Sequence, residues 1–481
     1  MNQPQHPSKV PPQAGLDRIR EIVGSQGFID DPRDMAEHLE EPRGLWQGRA
    51  ALVVKPASTD EVSAVVEVCN ELAIAIVPQG GNTSLVGAAV PHEHGNEIVL
   101  SLSRMNAVRG LDPMNDTITV EAGCILANVQ GAAAEADRLF PLSLGAEGTC
   151  QIGGNLSTNA GGTGVLRYGN ARSLVLGLEV VLASGEVWDG LKGLRKDNTG
   201  YDLKQLLIGA EGTLGIITAA VLKLYPRPND VVTALVGLPD PAAALDLLTR
   251  LKAGIGDAVT AFEIMSRFSV SLARKHIESL RVPPLGKPPP EQYALIELSS
   301  TQSPAPLREA LETILATASE NGVVLDAVIA ASETQAAGLW RIREEVPLAQ
   351  APEGGSIKHD VSVPVSSVPE FLERADEAVE HAMPGVRPCA FGHLGDGNIH
   401  YNLTQPKDMV AYEFMEEWER MNAVVHDIVA DLGGSISAEH GLGRLKREEI
   451  KRYKSETELQ MMRAIKAALD PKGIMNPGKV I

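Results

Sequence analysis

The sequence predicts an α+β or α/β protein of two or three domains, and three observations carry that prediction. Short β-rich runs alternate with helical stretches between Ala50 and Pro226, and the texture changes after YPRPND at 225–230. The length of 481 residues also exceeds the roughly 250–300 that a single core organises. Hydrophobic residues at 44% and charged residues at 22% are ordinary for a chain that buries a large core, which excludes disorder of the whole chain.

Taken in order, the start MNQPQHPSKVPPQ has neither the basic nor the apolar region of a secretion signal and reads as a flexible polar tail, placed over 1–15. In the segment 16–226, ALVV, AIAIVP, EIVLSLS and TITVEAG read as strands. TDEVSAVVEVCNELA reads as a helix with Thr59 and Asp60 at its N-cap. Over 227–408, the helical patterns PAAALDLLTRLKAG and PLREALETILATASENG are interleaved with strand candidates TALVGL and YALIELSS. The proline cluster PPLGKPPP at 283–290 reads as an exposed loop. The last stretch, 409–481, is mostly helical, in EFMEEWERMNAVVHDIVADLGG and ETELQMMRAIKAALD, with a Gly- and Ser-rich loop between them. There is no internal repeat, and no apolar run of about 18 residues that could span a bilayer.

A net charge of −19 and a pI near 5.1 argue against a protein whose main work is binding nucleic acid phosphates. Small anions remain compatible if a local cationic pocket overcomes the global field. Cys69, Cys124, Cys150 and Cys389 are scattered, with no CxxC pair, which fits a reducing compartment and sets the expectation of a cytoplasmic protein.

Three segments are dense in glycine. PQGGNTSLVG (78–87) follows an apolar strand, and its backbone N–H groups can turn inward as a phosphate-binding nest or simply connect two strands. LGAEGTCQIGGNLSTNAGG (144–162) is small enough to leave a groove for a large flat ligand, with Ser157, Thr158 and Asn159 for its polar edges. DNTGYDLKQLLIGAEGTLGIIT (197–218) repeats the signature. No GxGxxG follows a strand with an acidic residue about 20 positions on, so a Rossmann crossover is not expected. Finally, GHLGDGNIH (392–400) encloses a turn between two histidines. A hairpin there could bring both imidazoles to one metal, and two strand-end histidines met by chance fit the spacing equally well.

Together the three glycine-rich segments resemble the FAD domain of the vanillyl-alcohol oxidase/p-cresol methylhydroxylase family. Within it, GHLGDGNIH, SAEHGLG (437–443) and DPKGIMNPGK (470–479) are similar to the D-2-hydroxyglutarate and D-lactate dehydrogenase branch, and the resemblance runs from about Ala50 to the C terminus. It implies an α+β fold: a FAD-binding domain of two subdomains, a cap domain on an antiparallel sheet, and a C-terminal helical segment closing on the flavin site. It also implies that Pro78, Gly80, Gly81, Asn82, Thr83 and Ser84 hold the pyrophosphate. Gly145, Gly148, Thr149, Gly153, Gly154, Ser157, Asn159, Ala160, Gly161, Glu211, Gly212, Ile217 and Asn476 would line the rest of the cofactor. The first glycine loop has no histidine for a covalent link, so FAD is expected to be non-covalent. His92 and His94 read as surface-loop residues.

The same resemblance implies that His393, His400 and Glu439 hold zinc or a similar divalent ion, two imidazoles and a carboxylate being a donor set for a catalytic metal. Such an ion suits a 2-hydroxy acid, whose carboxylate and hydroxyl can chelate it in a five-membered ring. His440 is the candidate base, a helix cap or fourth ligand being the alternative. Arg343 and Lys358 match positions that grip the substrate carboxylate, the alternative being solvated charges. Asp396 and Asn398 read as turn formers, and Asn402, two residues past His400, faces substrate or metal. Pro347 departs from the pattern: it stands where members that grip a distal carboxylate carry a hydroxyl. The resemblance thus implies a FAD- and metal-dependent dehydrogenase of a D-2-hydroxy acid, D-2-hydroxyglutarate or a close relative, with D-lactate or glycolate as alternative substrate. A flavin-binding electron relay without chemistry of its own is the reading from another class. Family habit points to an electron-transfer flavoprotein or quinone as acceptor; the oligomeric state is left open, a homodimer being one possible assembly.

Overall fold

The computed structural model describes residues 10–303 and 305–481. Of the expected tail over 1–15, residues 1–9 lie outside the described residues. The helix Gln13–Val23 takes in the last three tail positions, because Leu16, Ile19 and Val23 recur at helical spacing and are buried. Two compact units follow. One comprises the described residues up to Ala160 with Asn170–Pro226 and Glu439–Ile481, and the other comprises Gly161–Gly169 and Arg227–Ala438.

The first unit is built on two sheets. Four strands run in the order Phe28–Ile29, Leu52–Val54, Glu97–Ser101, Ala75–Gln79, and the last three pair in parallel. Leu52–Val54 and Glu97–Ser101 are buried throughout, as strands covered on both faces must be. The helix Thr59–Leu72 provides the crossover. Its cap is Ser58, one residue before the expected Thr59, and the Ser58 hydroxyl accepts from Glu61 N at 3.2 Å. A five-stranded antiparallel sheet has the order Val108–Asp112, Thr117–Glu121, Ile216–Lys223, Val175–Val181, Val187–Gly190. The chain returns to this unit at its end: Ile76 N donates to Ile474 O, and Asn476 N donates to Ile76 O, both at 2.8 Å, which extends the edge strand Ala75–Gln79.

The second unit is an antiparallel sheet in the order Asp326–Ile329, Asp230–Leu238, Gln292–Ser300, Val259–Ser266, Arg387–His393, Asn398–Thr404, Ser356–Ile357, with Asp360–Ser362 also paired to Asn398–Thr404. Successive residues alternate between its two faces. Val236, Phe262, Ile264, Ile296, Tyr401 and Leu403 point into one core, shared with the helices Pro241–Ile255, Leu307–Glu320, Val368–Ala382 and Trp418–Asp431. Leu235, Met265, Leu295, Cys389 and Phe391 point into the other, shared with Arg267–His276, Glu333–Glu344 and Val346–Gln350.

The stretch 409–481, expected as one helical segment, is divided between the units. Met421, Val425 and Val429 commit the helix Trp418–Asp431 to the sheet core, and Ser435 then pairs with Ser362 before the chain passes on at Glu439. The proline cluster forms a loop, although Leu285 and Pro290 within it are buried. Among the described residues no helix is long and apolar enough to cross a membrane.

Candidate flavin and substrate sites

In the first unit, the three glycine-rich segments meet. A Cβ on Gly81 would lie 2.1 Å from Thr149 O, and one on Gly80 would lie 3.4 Å from Gly154 N, so the loop after strand Ala75–Gln79 rests against the 149–154 backbone. A Cβ on Gly212 would likewise come within 3.0 Å of the Pro78 ring. Among the described residues eight non-glycines have a left-handed backbone, and four of them, Asn82, Asn159, Glu211 and Asn476, belong to the expected cofactor set. Each such residue costs on the order of 1 kcal/mol and persists only where its surroundings hold it.

The holding bonds are visible. Asn82 Nδ2 donates to Glu37 O at 3.1 Å and to Glu40 O at 2.9 Å. Asn159 Oδ1 accepts from Arg172 N at 2.9 Å. Asn476 Nδ2 donates to Ala88 O at 3.0 Å and to Glu211 O at 2.7 Å. The Glu211 carboxylate accepts from Leu442 N and Gly443 N, both at 2.8 Å, and so anchors the loop that follows His440. Burial pushes the Glu211 carboxyl up to about 7, against the pull of these two donors and of Lys446.

These residues fit a dinucleotide. A Cβ on Gly145, Gly148 or Gly154 would meet nothing within 4 Å, so these glycines face open space. Asn82 Oδ1, Gln151 Oε1 and Asn476 Oδ1 are buried acceptors without a hydrogen-bond partner among the described residues, and the hydroxyls and ring N–H of FAD could satisfy them. Other members of the expected set face elsewhere. Gly153 is turned onto Ala122, the Ser157 hydroxyl donates to Gly153 O at 2.7 Å, Ile217 is buried in the five-stranded sheet, and Gly161 belongs to the second unit.

In the second unit, GHLGDGNIH forms a hairpin whose register places His393 opposite Asn398 and Phe391 opposite His400. Directly opposed residues share a face. Glu263 is opposite His393, and Asp360 is opposite His400, so both carboxylates stand on the face that carries the two imidazoles. The imidazole rings lie 5.6 Å apart at 77°. Glu263 Oε1 is 2.6 Å from His393 Nδ1, and Glu263 Oε2 accepts from Arg343 Nε at 2.9 Å. Burial alone would raise the Glu263 carboxyl, but the charges of His393 and Arg343 outweigh it and hold Glu263 below its ordinary range. A histidine whose Nδ1 is held by a carboxylate is oriented to present Nε2 to a metal, so the donor chemistry fits a divalent ion.

Arg343 is therefore a buried charge at 7% exposure, stacked 4.7 Å over the Phe391 ring. Lys358 is half-buried, and its charge opposes the burial that pushes the Cys389 thiol up to about 12. Asn402 is buried, and its Nδ2 donates to Gln350 Oε1 at 2.9 Å. Asp396 is a turn former, accepting from Asn398 N at 3.0 Å. Asn398 does more than turn the chain: its Nδ2 donates to Asp360 Oδ1 at 3.0 Å and to Val361 O at 2.9 Å. Pro347 opens the helix Val346–Gln350. Glu439 and His440 begin the segment assigned to the first unit.

The sequence reading missed Glu263 and Asp360. Glu263 left a signal: a carboxylate inside the buried strand VTAFEIMS must have a partner. In the first unit His92, His94 and Glu97 also group donor atoms, but the buried Lys479 ammonium 3.5 Å from His92 Nδ1 repels a cation there.

Comparison with known proteins agrees with both halves. Residues 50–190 match the family model described as a FAD binding domain, and residues 227–480 match that of the C-terminal domain of FAD linked oxidases. A mitochondrial D-2-hydroxyglutarate dehydrogenase of Danio rerio is 37% identical, over 99% of this chain and 88% of that relative. The Bos taurus enzyme of the same name is 38% identical, over 99% and 85%. A D-2-hydroxyglutarate–pyruvate transhydrogenase of Saccharomyces cerevisiae is 36% identical, over 96% and 92%. Among solved structures, p-cresol methylhydroxylase with substrate bound superimposes at a TM-score of 0.73 with 18% identity, over 97% of this chain and 96% of that one, which shows the fold. The mitochondrial names of the fish and cattle relatives overturn the cytoplasmic expectation. Scattered reduced cysteines mark a reducing compartment and do not tell cytoplasm from mitochondrial matrix.

Proposed function

The chain belongs to the FAD-linked oxidases of the vanillyl-alcohol oxidase/p-cresol methylhydroxylase family, among the D-2-hydroxyglutarate dehydrogenases, and from that premise we propose that it oxidises D-2-hydroxyglutarate, or a close D-2-hydroxy acid, to the 2-oxo acid. The single observation that carries the proposal is Glu263, whose carboxylate bonds to His393 on one oxygen and to Arg343 on the other. A buried cation, two imidazoles and an acidic clamp are what an anionic hydroxy acid needs to be bound and oriented.

When bound, FAD would supply the hydride acceptor, with Pro78, Gly80, Gly81, Asn82, Thr83 and Ser84 about its pyrophosphate. His393, His400 and Glu439 would hold a divalent ion, zinc or similar, which supplies positive charge beside the substrate hydroxyl and carboxylate. Ala438 N donates to Asp360 O at 3.2 Å, so the chain is tethered to the strand paired with His400 one residue before Glu439. His440 takes the hydroxyl proton on its imidazole. Arg343 neutralises substrate charge while holding Glu263, and Glu263 keeps His393 in one tautomer and orientation. Lys358 adds a second cation for the carboxylate, and Asn402 shapes the same face. The acceptor of the reducing equivalents is an electron-transfer flavoprotein or a quinone, on family resemblance.

D-lactate is the second reading. Pro347, at the start of Val346–Gln350, offers no hydroxyl to a distal carboxylate, and the yeast relative's name pairs D-2-hydroxyglutarate with pyruvate, the 2-oxo acid of lactate. Anaerobic flavin bleaching across a panel of 2-hydroxy acids tests the choice. D-2-hydroxyglutarate should bleach fastest, and D-lactate bleaching far faster would transfer the assignment to lactate.

A further inference from the structure

Residues 31–46 precede position 50, where the match to the FAD-binding family model begins, yet they grip the first glycine loop at several points. Asp31 caps the helix Pro32–Leu39 by accepting from Arg33 N at 2.9 Å. The other end of that helix carries carbonyls with no partner inside the helix, and the Asn82 amide bonds two of them, Glu37 O and Glu40 O. His38, 8% exposed, has Nδ1 2.5 Å from Gln79 Oε1, and Gln79 Nε2 donates back to His38 O at 3.0 Å and on to Ala89 O at 2.9 Å. Arg43 donates to Leu85 O, and the Trp46 ring lies so close to Gly87 that a Cβ there would come within 2.7 Å of it.

A nest of backbone N–H groups binds phosphate only while its residues hold the turning conformation. Asn82 sits in that turn with a left-handed backbone (φ 51°), and both of its amide bonds go to the helix end. We propose that Asp31–Trp46 is a clamp that pre-shapes the FAD pyrophosphate loop, and that His38 is its positioning residue, acting through Gln79 and through the carbonyls of Glu37 and Glu40. The inference rests on the assignment of Pro78, Gly80, Gly81, Asn82, Thr83 and Ser84 to the pyrophosphate.

The test is FAD affinity and release of the full-length protein, followed by flavin fluorescence, beside the thermal midpoint of the apoprotein. His38→Ala should weaken FAD binding about tenfold, the effect of losing one buried hydrogen bond. His38→Asn, whose amide can replace Nδ1 as donor to Gln79, should restore affinity to within about threefold. Gln79→Ala should match His38→Ala, and the double variant should be no worse than either single one. The apoprotein midpoint should not distinguish His38→Ala from His38→Asn. Unchanged FAD release in His38→Ala and Gln79→Ala overturns the clamp, as does His38→Asn behaving like His38→Ala. Asn82→Gly, which keeps the backbone conformation and removes the amide, should weaken FAD binding as His38→Ala does, whereas Gly81→Ala, whose Cβ would lie 2.1 Å from Thr149 O, checks the underlying assignment. Unchanged FAD affinity in Gly81→Ala overturns the pyrophosphate loop itself, whereas weakened affinity there with none in His38→Ala and Asn82→Gly overturns only the clamp.

Discussion

The flavin loops of the first unit and the histidine face of the second are made of opposite materials. Around the loops the binding groups are backbone, shaped by glycines that leave space and by Asn82, Asn159, Glu211 and Asn476 held in left-handed turns. On the sheet face the binding groups are charged and imidazole side chains, and their positions are set by one another: Glu263 fixes His393 and Arg343, and Asn398 fixes Asp360. A site made of backbone should break when atoms are added, and a site made of side chains should break when atoms are removed.

The largest expected effect is an addition. Gly81→Ala puts a Cβ 2.1 Å from Thr149 O, a contact that only backbone movement relieves, so the purified protein should retain little or no flavin by absorbance. Flavin content near wild type would remove the distinction between the two regions. Next comes a removal: Arg343→Ala leaves the Glu263 carboxylate buried without its guanidinium and should lower kcat/KM by roughly two to three powers of ten while flavin content stays normal. A loss below threefold would show that the sheet face tolerates missing atoms.

The smallest effect concerns Glu211, which joins both kinds of construction. Its carboxyl is raised by burial from the ordinary 4.5 to about 7, so the folded protein binds this proton more tightly than the unfolded chain. The stabilisation is full below about pH 4.5 and is lost as pH rises through about 7. The thermal midpoint should therefore fall over that window in wild type, and less steeply in Glu211→Gln. Identical slopes in the two proteins would mean that Glu211 is ionised throughout.

What could be read from the sequence follows the same division. Glycine-rich loops and alternating strands are local patterns, so the three flavin segments, the hairpin around His393 and His400 and most strands are legible without coordinates. Partnerships across the sheet are not: Glu263 lies 130 residues from His393, and only strand register brings them together. His38 escaped notice because its role depends on Gln79, 41 positions on, and on the carbonyls of a helix end, which no side-chain pattern records. The expected unity of 409–481 failed for a related reason, since helical spacing shows that Trp418–Asp431 has an apolar face but not which core receives it.

The proposed divalent ion at His393, His400 and Glu439 would serve the substrate and not the flavin. The most direct measurement strips the holoenzyme with a chelator and follows metal content, the visible flavin spectrum and D-2-hydroxyglutarate turnover in one sample. Turnover should disappear with the metal and return on adding zinc, while the flavin spectrum and FAD content stay as they were. Full turnover in a verified metal-free sample would contradict the account.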